Sequence, residues 1–233
     1  MPTDAGSAPP SPTSRPGLRA IVAFGPTHEP IDDVRFIGNR SSGRMGAAIA
    51  GALREAGCTV TAVRGPGAPE AAGCRDKRFR TAADLLSTLR AEWPAHDLLV
   101  MAAAVADFRP AAPLEGKLRR ESGPMELRLE PTQDILSGLA GTRRPDQYVV
   151  GFALERPEEL VASARAKLER KRADAVVANP LETLDAAEVD ARVLLADGGM
   201  LAPAAGRIAK DAFARWLVGE LLPRAERRRA GRG

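Results

Sequence analysis

Histidine is scarce in this chain: His28 and His96 are the only two in 233 residues, and they stand far apart. A histidine-built metal centre and a serine–histidine nucleophile both need imidazoles brought together with other groups, so both are poor readings of the sequence. Cysteine is equally rare. Cys58 and Cys74 form no C-x-x-C pair and have no histidine close by in sequence, which points to two reduced, structural thiols. Aromatic residues make up only 4%, with no basic stripe interleaved among them, so nucleic acid is not an expected partner. No apolar run is long enough to span a membrane, and residues 1–17, rich in Pro, Ser, Thr and Ala, lack the apolar segment of a secretory signal. The expectation is a disordered leader over 1–17 on a cytoplasmic protein that engages no membrane.

The formal net charge of +4 is concentrated at one end. Residues 224–233 carry five Arg and one Glu, whereas 1–17 carry only Asp4 and Arg15, which leaves the body of the chain near neutral. The basic stretch 224–233 reads as a solvated tail. A hydrophobic content of 44% suits one globular domain over 18–223.

Strand and helix signals alternate through that domain. Apolar runs at Ile21–Phe24, Thr59–Val63, Asp97–Ala104, Tyr148–Phe152 and Ala175–Ala178 read as strands, with a short one at Arg78–Arg80. Helices are expected from Gly46 to Gly57 and over Ala82–Glu92, Gln133–Leu139, Pro157–Arg172 and Ile208–Leu222. The pattern breaks after Pro110, where Ala111–Gly123 is polar and Met125–Leu129 then alternates as a strand; Asp197-Gly198-Gly199 within Arg192–Leu201 signals a β-hairpin. The predicted class is α/β: a doubly wound, mostly parallel, Rossmann-like sheet with a C-terminal antiparallel hairpin. Ligands of such sheets lie beyond the carboxyl ends of the strands.

Between the first strand and first helix lie about twenty residues, where a βα loop normally has about two to six. The loop ends in Asn39-Arg40-Ser41-Ser42-Gly43-Arg44-Met45-Gly46, which places hydroxyls, glycines and free backbone N–H groups at a helix N-terminus, a setting suited to phosphate. The spacing from Gly38 to Gly43 is that of a Walker A loop, but the Lys-Ser/Thr pair is missing, and only Gly43 and Gly46 fit a dinucleotide fingerprint. Phosphate binding and an ordinary Gly/Ser helix cap both remain open on the motif alone. Three further clusters admit two readings each. Asp107, after the small residues Ala103 and Ala104, is a ligand-binding carboxylate or a turn cap. Lys117-Leu118-Arg119-Arg120 is a flap that closes a cation over a triphosphate or a solvated charge run. Lys167 and Lys171, four apart on one helical face leading toward Asn179, are ligand cations or ordinary surface lysines. Phosphoryl or nucleotidyl transfer suits this inventory, since that chemistry depends on positioning, cations and magnesium.

Six stretches then occur in order: GPTHEPIDDVRFIGNRSSGRMG (Gly25–Gly46), AAVADFRP (Ala103–Pro110), GKLRR (Gly116–Arg120), PTQDIL (Pro131–Leu136), GFALE (Gly151–Glu155) and AKLERKRADAVVAN (Ala166–Asn179). Together they resemble the phosphopantothenoylcysteine synthetase family, the phosphopantothenate-cysteine ligases of coenzyme A biosynthesis, over Ile21 to about Leu222. The resemblance implies that the carboxylate of 4'-phosphopantothenate attacks the α-phosphate of a nucleoside triphosphate, releasing pyrophosphate, and that the amine of L-cysteine then displaces the nucleotide. It implies Gly25, Ser41, Gly43 and Gly46 around the triphosphate, with Phe152, Lys167, Lys171, Asn179 and Asp107 on the nucleotide. Gln133, Asp134, Ile135 and Leu136 would form the base pocket. Asn39, Ala103, Ala104 and Asp107 would hold phosphopantothenate, joined by Arg35 from the second subunit of a homodimer. Lys117 would neutralise charge on the α-phosphate, and Asn39 would orient the acyl intermediate. Magnesium, CTP rather than ATP, no flavin, no metal ligands from the protein and a decarboxylase supplied as a separate protein complete the expectation. The chain departs from the family pattern at Arg44, Arg119 and Arg120, where guanidinium forks replace lysine point charges, at His28, where the family commonly has Arg, and at Gln133, where the base pocket changes. A catalytically silent binding relative and an NAD(P)-dependent oxidoreductase are the alternatives; the second lacks its glycine fingerprint.

Overall fold

The computed structural model describes residues 17–119, 123–184 and 186–231. Nearly all of the expected leader, Arg120 of the charge run and the last two residues of the tail lie outside these. Eight strands form one sheet: β1 Arg19–Pro26, β2 Thr59–Arg64, β3 Arg75–Arg78, β4 Leu98–Ala104, β5 Tyr148–Glu155, β6 Ala175–Pro180, β7 Arg192–Leu195 and β8 Met200–Leu201. Their spatial order is β8-β7-β6-β5-β4-β1-β2-β3. The first six run parallel, while β7 is antiparallel to β6 and β8 to β7. This is the expected doubly wound sheet with its terminal hairpin. The chain builds outward from β1 to β2 and β3, then crosses to β4 and builds the other way, so the strand order reverses between β1 and β4. That reversal opens a crevice at the carboxyl ends.

Helices cover both faces: α1 Arg44–Glu55, α2 Ala82–Glu92, α3 Ile135–Gly141, α4 Leu160–Lys171 and α5 Lys210–Arg229. The alternation within β1 divides the core. Ala20, Val22 and Phe24 pack with Ile49 and Leu53 of α1 and Phe213 and Leu217 of α5. Ile21 and Ala23 face the opposite layer, with Leu85 and Leu89 of α2, Leu136 and Leu139 of α3, and Leu168 of α4. Because both sheet faces are covered, the central strands read as continuous apolar runs.

His96 belongs to this core. Its Nδ1 lies 2.7 Å from the Glu92 carbonyl and its Nε2 lies 2.9 Å from the Thr61 hydroxyl. A carbonyl can only accept, so Nδ1 carries the proton and Nε2 accepts from Thr61. Burial lowers the ring's pKa and keeps it neutral.

Four local expectations are corrected. The third strand is Arg75–Arg78, not Arg78–Arg80, because its register follows backbone pairing with β2 rather than any apolar pattern. Met125–Leu129 does not form a strand; only Leu129–Pro131 pairs, antiparallel to Phe108–Pro110. The long first loop contains an unanticipated hairpin of His28–Pro30 with Phe36–Gly38, closed by stacking of the His28 and Phe36 rings at 3.6 Å. The final helix does not stop at Leu222 but passes through Pro223 to Arg229. Ala225 is buried there, and the Arg228 guanidinium pairs with Asp174 at 3.1 Å and donates to the Pro145 carbonyl at 2.9 Å. The supposed solvated tail is therefore helical as far as Arg229, with Arg224, Ala225 and Arg228 turned onto the fold while Glu226, Arg227 and Arg229 stay exposed.

Candidate functional site

Two adjoining cavities open at the carboxyl ends of β4, β5 and β6. The larger, about 680 Å³, is lined by Gly38–Gly46, by Ala102–Val105 with Asp107 from the end of β4, and by Phe152–Glu155 from β5. Lys167 and Asn179 complete its near wall, and Thr183, Leu184, Val189 and Lys210 form the far one. The second, about 420 Å³, lies between the β4 end and the start of α3, with Gln133–Leu136, Lys167 and Lys171 around it.

The helix N-terminus at the larger cavity is built by close packing. Gly43 precedes α1 with φ 69°, and a Cβ on it would come within 2.6 Å of Ala68 Cβ. The Ser41 hydroxyl accepts the Gly43 N–H at 3.3 Å, and the cap residue has no side chain to offer α1. The first N–H groups of that helix therefore face the cavity without a side-chain cap, which favours an anion. Gly46 lines the cavity and is also required by packing. A Cβ there would lie 2.1 Å from Phe24 Cβ, so this glycine seats α1 on β1. Gly25 lies behind Gly43, at 3.3 Å from the position of a Cβ on that residue, and does not line either cavity.

The turn that carries Asp107 is pinned from three sides. Thr27 donates its N–H to the Ala104 carbonyl at 3.2 Å and accepts the Ala106 N–H on its hydroxyl at 2.9 Å. Thr132 donates its hydroxyl to the Ala106 carbonyl at 2.6 Å and its N–H to the Asp107 carbonyl at 2.9 Å. Asn39 donates Nδ2 to the Val105 carbonyl at 2.9 Å, which joins the two halves of the cavity rim. Asp107 itself is exposed at the boundary of the two cavities.

Asn179, at the end of β6, contributes a buried Oδ1 with no hydrogen-bond partner among the described residues. A buried acceptor left unpaired in this way costs free energy unless a donor arrives. Lys167 is half-buried beside it and makes no ion pair among the described residues. Burial and then the Lys171 ammonium lower its pKa, partly opposed by Glu155. Lys171 differs, since its ammonium is paired with the Asp134 carboxylate, and Asp134 caps α3 by accepting the Ser137 N–H at 3.1 Å. Burial pushes the Asp134 carboxyl up, but Lys171 and Ser137 outweigh it and hold it below the usual value.

The structure thus gathers Asn39, Ser41, Gly43, Gly46, Ala103, Ala104, Asp107, Phe152, Lys167 and Asn179 around one cavity, and Gln133, Asp134, Ile135, Leu136 and Lys171 around its neighbour. Arg35 and Lys117 line neither. The Arg35 guanidinium pairs with Asp32 at 2.6 Å, and Lys117 stands on an exposed strap whose flanking peptides bond the loop at 31–35. Thr27, Thr132 and the far wall were missed in the sequence. The threonines follow Pro26 and Pro131 within the recognised stretches, but nothing local to the far-wall residues marks them.

The model of the DNA/pantothenate metabolism flavoprotein C-terminal domain family matches residues 16–223. Among known proteins, the chain is 42% identical over 168 residues to a cysteine/cysteine sulfinic acid decarboxylase of an unknown prokaryotic organism, covering 71% of this chain and 46% of that protein. It is 40% identical over 196 residues to the coenzyme A biosynthesis bifunctional protein CoaBC of Mycolicibacterium smegmatis, covering 78% and 47% respectively. It therefore spans a little under half the length of these relatives. The crystal structure of the C-terminal domain of a coenzyme A biosynthesis bifunctional protein CoaBC superposes with a TM-score of 0.76 at 29% identity, covering 90% of this chain and 96% of that one.

Proposed function

The chain belongs to the DNA/pantothenate metabolism flavoprotein C-terminal domain family, and on that premise we propose that it is a phosphopantothenate-cysteine ligase acting in coenzyme A biosynthesis. The observation that carries the proposal is the unpartnered buried Oδ1 of Asn179 beside Lys167, in a cavity walled by the uncapped start of α1. A nucleoside triphosphate satisfies all three features: a hydroxyl or amine donor for Asn179, anionic oxygens for Lys167, and phosphate for the helix N-terminus.

In the first step, a 4'-phosphopantothenate carboxylate oxygen bonds to the α-phosphorus and the bond to the bridging oxygen breaks, so pyrophosphate leaves. In the second, the L-cysteine amine attacks the acyl carbon, nucleoside monophosphate departs, and the amine proton is lost as the amide forms. Asn39 and Asp107 on the pinned rim orient the pantothenate side. Lys117 supplies positive charge at the α-phosphate, worth most where charge builds in the transition state. Asp107 and Glu155 are the carboxylates lining the larger cavity, and no group of three or more His, Cys, Asp or Glu among the described residues is placed to hold a metal. Magnesium would accordingly arrive on the triphosphate, keeping water and phosphate ligands. CTP is the preferred nucleotide of this proposal, with Gln133–Leu136 against the base, and the functional unit is a homodimer with Arg35 reaching the neighbouring site. No described helix is long and apolar enough to cross a membrane.

The test is pyrophosphate release from purified protein with 4'-phosphopantothenate and magnesium, with CTP or ATP, with and without cysteine. Cysteine-dependent turnover with CTP is the expected result. Turnover with ATP alone would overturn the nucleotide assignment. Folded protein inactive with both would leave the silent-relative alternative standing.

A further inference from the structure

The loop at 31–35 and the Lys117 strap are more than eighty residues apart in sequence, yet they are joined by a dense set of bonds. Asp33 Oδ2 accepts the Gly116 N–H at 3.1 Å, and the Asp33 N–H is donated to the Gly116 carbonyl at 3.1 Å. On the other side of Lys117, Asp32 Oδ2 accepts the Leu118 N–H at 3.1 Å. The same Asp32 carboxylate accepts the Val34 and Arg35 N–H groups at 2.8 and 2.6 Å and pairs with the Arg35 guanidinium. That guanidinium in turn donates to the Leu118 carbonyl at 3.2 Å from both terminal nitrogens. Leu114 adds an N–H to the Ile31 carbonyl at 2.9 Å. The peptide groups immediately before and after Lys117 are thus each gripped by an aspartate.

We propose that Asp32 and Asp33 are positioning residues of the reaction: the two carboxylates bracket Lys117 and hold the backbone that carries its ammonium, which lines neither cavity here, for delivery to the α-phosphate. The inference rests on the ligase proposal and on the role it gives Lys117.

The chemistry of the pair suits this task. Asp32 has a side chain with no exposure to solvent, and it is satisfied on both oxygens by three backbone N–H groups and a guanidinium. Burial pushes its carboxyl up, but the N–H groups of Arg35, Val34 and Leu118 and the Arg35 side chain prevail and hold it down to about 2. It therefore stays a charged acceptor at any working pH. Arg35 is preorganised by the same carboxylate, so one buried group governs both cations. A lysine held on a fixed backbone loses less conformational freedom on reaching its target than one on a free loop.

The experiment uses the full chain and three variants, Asp33→Ala, Asp33→Asn and Asp32→Asn. Two quantities are read: the rate of tryptic cleavage after Lys117 and Arg119 without any substrate, and kcat and KM for cysteine-dependent pyrophosphate release. Asp33 is exposed, so Asp33→Ala tests the bracket even if Asp32→Asn fails to fold. The expected result for Asp33→Ala is cleavage accelerated about fivefold or more and kcat lowered about tenfold, with KM for the nucleotide within about twofold. Asp33→Asn keeps an acceptor for Gly116 and restores both values. Faster cleavage with unchanged kcat would overturn the proposal, as would unchanged cleavage, or a kcat loss that Asp33→Asn does not restore. If the wild-type protein turns over no nucleotide, the ligase proposal and the catalytic half of this inference fall together, while the cleavage ratio still decides whether the carboxylates hold the strap.

Discussion

Asp134 and Lys171 form an ion pair that spans from the N-cap of α3 to the last residue of α4, within the lining of the second cavity. One carboxylate thereby serves two ends: it caps α3 through Ser137 and neutralises a cation on the cavity wall. The two roles separate by substitution. Asp134→Asn keeps an N-cap of similar quality and releases the ammonium, so stability should change little while affinity for the nucleotide triphosphate rises. Asp134→Ala loses the cap as well and should cost about 1 kcal/mol of unfolding free energy. Urea denaturation and nucleotide titration of the two variants check this.

Asn179→Ala should separate binding from stability in the other direction. Its Oδ1 makes no hydrogen bond among the described residues, so deleting the amide removes no acceptor bond and the melting temperature should hardly fall. Nucleotide affinity should drop about tenfold, the value of one hydrogen bond of about 1 to 1.5 kcal/mol. Calorimetric titration and a thermal melt on the same sample provide the comparison; equal affinity would place the ligand's donor elsewhere.

Lys167 gives a pH signature. Its pKa is lowered by burial and by Lys171, so it loses its charge on the alkaline side earlier than a free lysine. Triphosphate affinity should therefore weaken as pH rises toward that lowered value. Lys167→Arg, which stays protonated, should hold affinity to higher pH. Dissociation constants measured between about pH 7 and 10 decide it, and parallel profiles for the two proteins would contradict the assignment.

Gly46→Ala should be a folding lesion first. The new methyl would meet Phe24 Cβ at 2.1 Å, and forcing α1 off β1 should cost about 1–3 kcal/mol or more. Gly43→Ala adds a left-handed backbone to a close contact with Ala68, and its penalty should be of the same order, about 1–2 kcal/mol from the backbone alone. Chemical denaturation of both reads the cost directly. Loss of activity in Gly46→Ala without loss of stability would make its contact with the ligand, rather than its packing on Phe24, the decisive one.

The parts of the fold legible in the sequence are those where burial writes a pattern. Val22, Leu99, Val150 and Val177 lie in strands covered on both faces, and such runs announce themselves. The strand at Arg75–Arg78 has an exposed, charged sequence, so nothing but its pairing with β2 locates it. Proline should have ended the last helix at Leu222, since it removes an N–H from the ladder. Tertiary contacts of Ala225 and Arg228 carry the helix past it, and Arg224 donates to the Glu220 carbonyl alongside. Within the site, Asn39, Lys167 and Asn179 were visible as polar residues in a family pattern, whereas Thr183, Leu184 and Val189 carry no local chemistry and reach the cavity only through the packing of β6 and the segment beyond it. Asp32 was hidden in plain view inside a turn: Arg35 is a local partner three residues on, but Leu118, which ties the turn to the strap, meets it only in three dimensions.

The two cavities share a partition of Ala103, Val105, Asp107, Phe152 and Lys167. Any molecule that orders this partition from one side prepares or obstructs it for the other. Occupancies on the two sides are consequently linked variables, and linkage is symmetrical: whatever factor one ligand imposes on its neighbour's dissociation constant, the neighbour returns in equal measure.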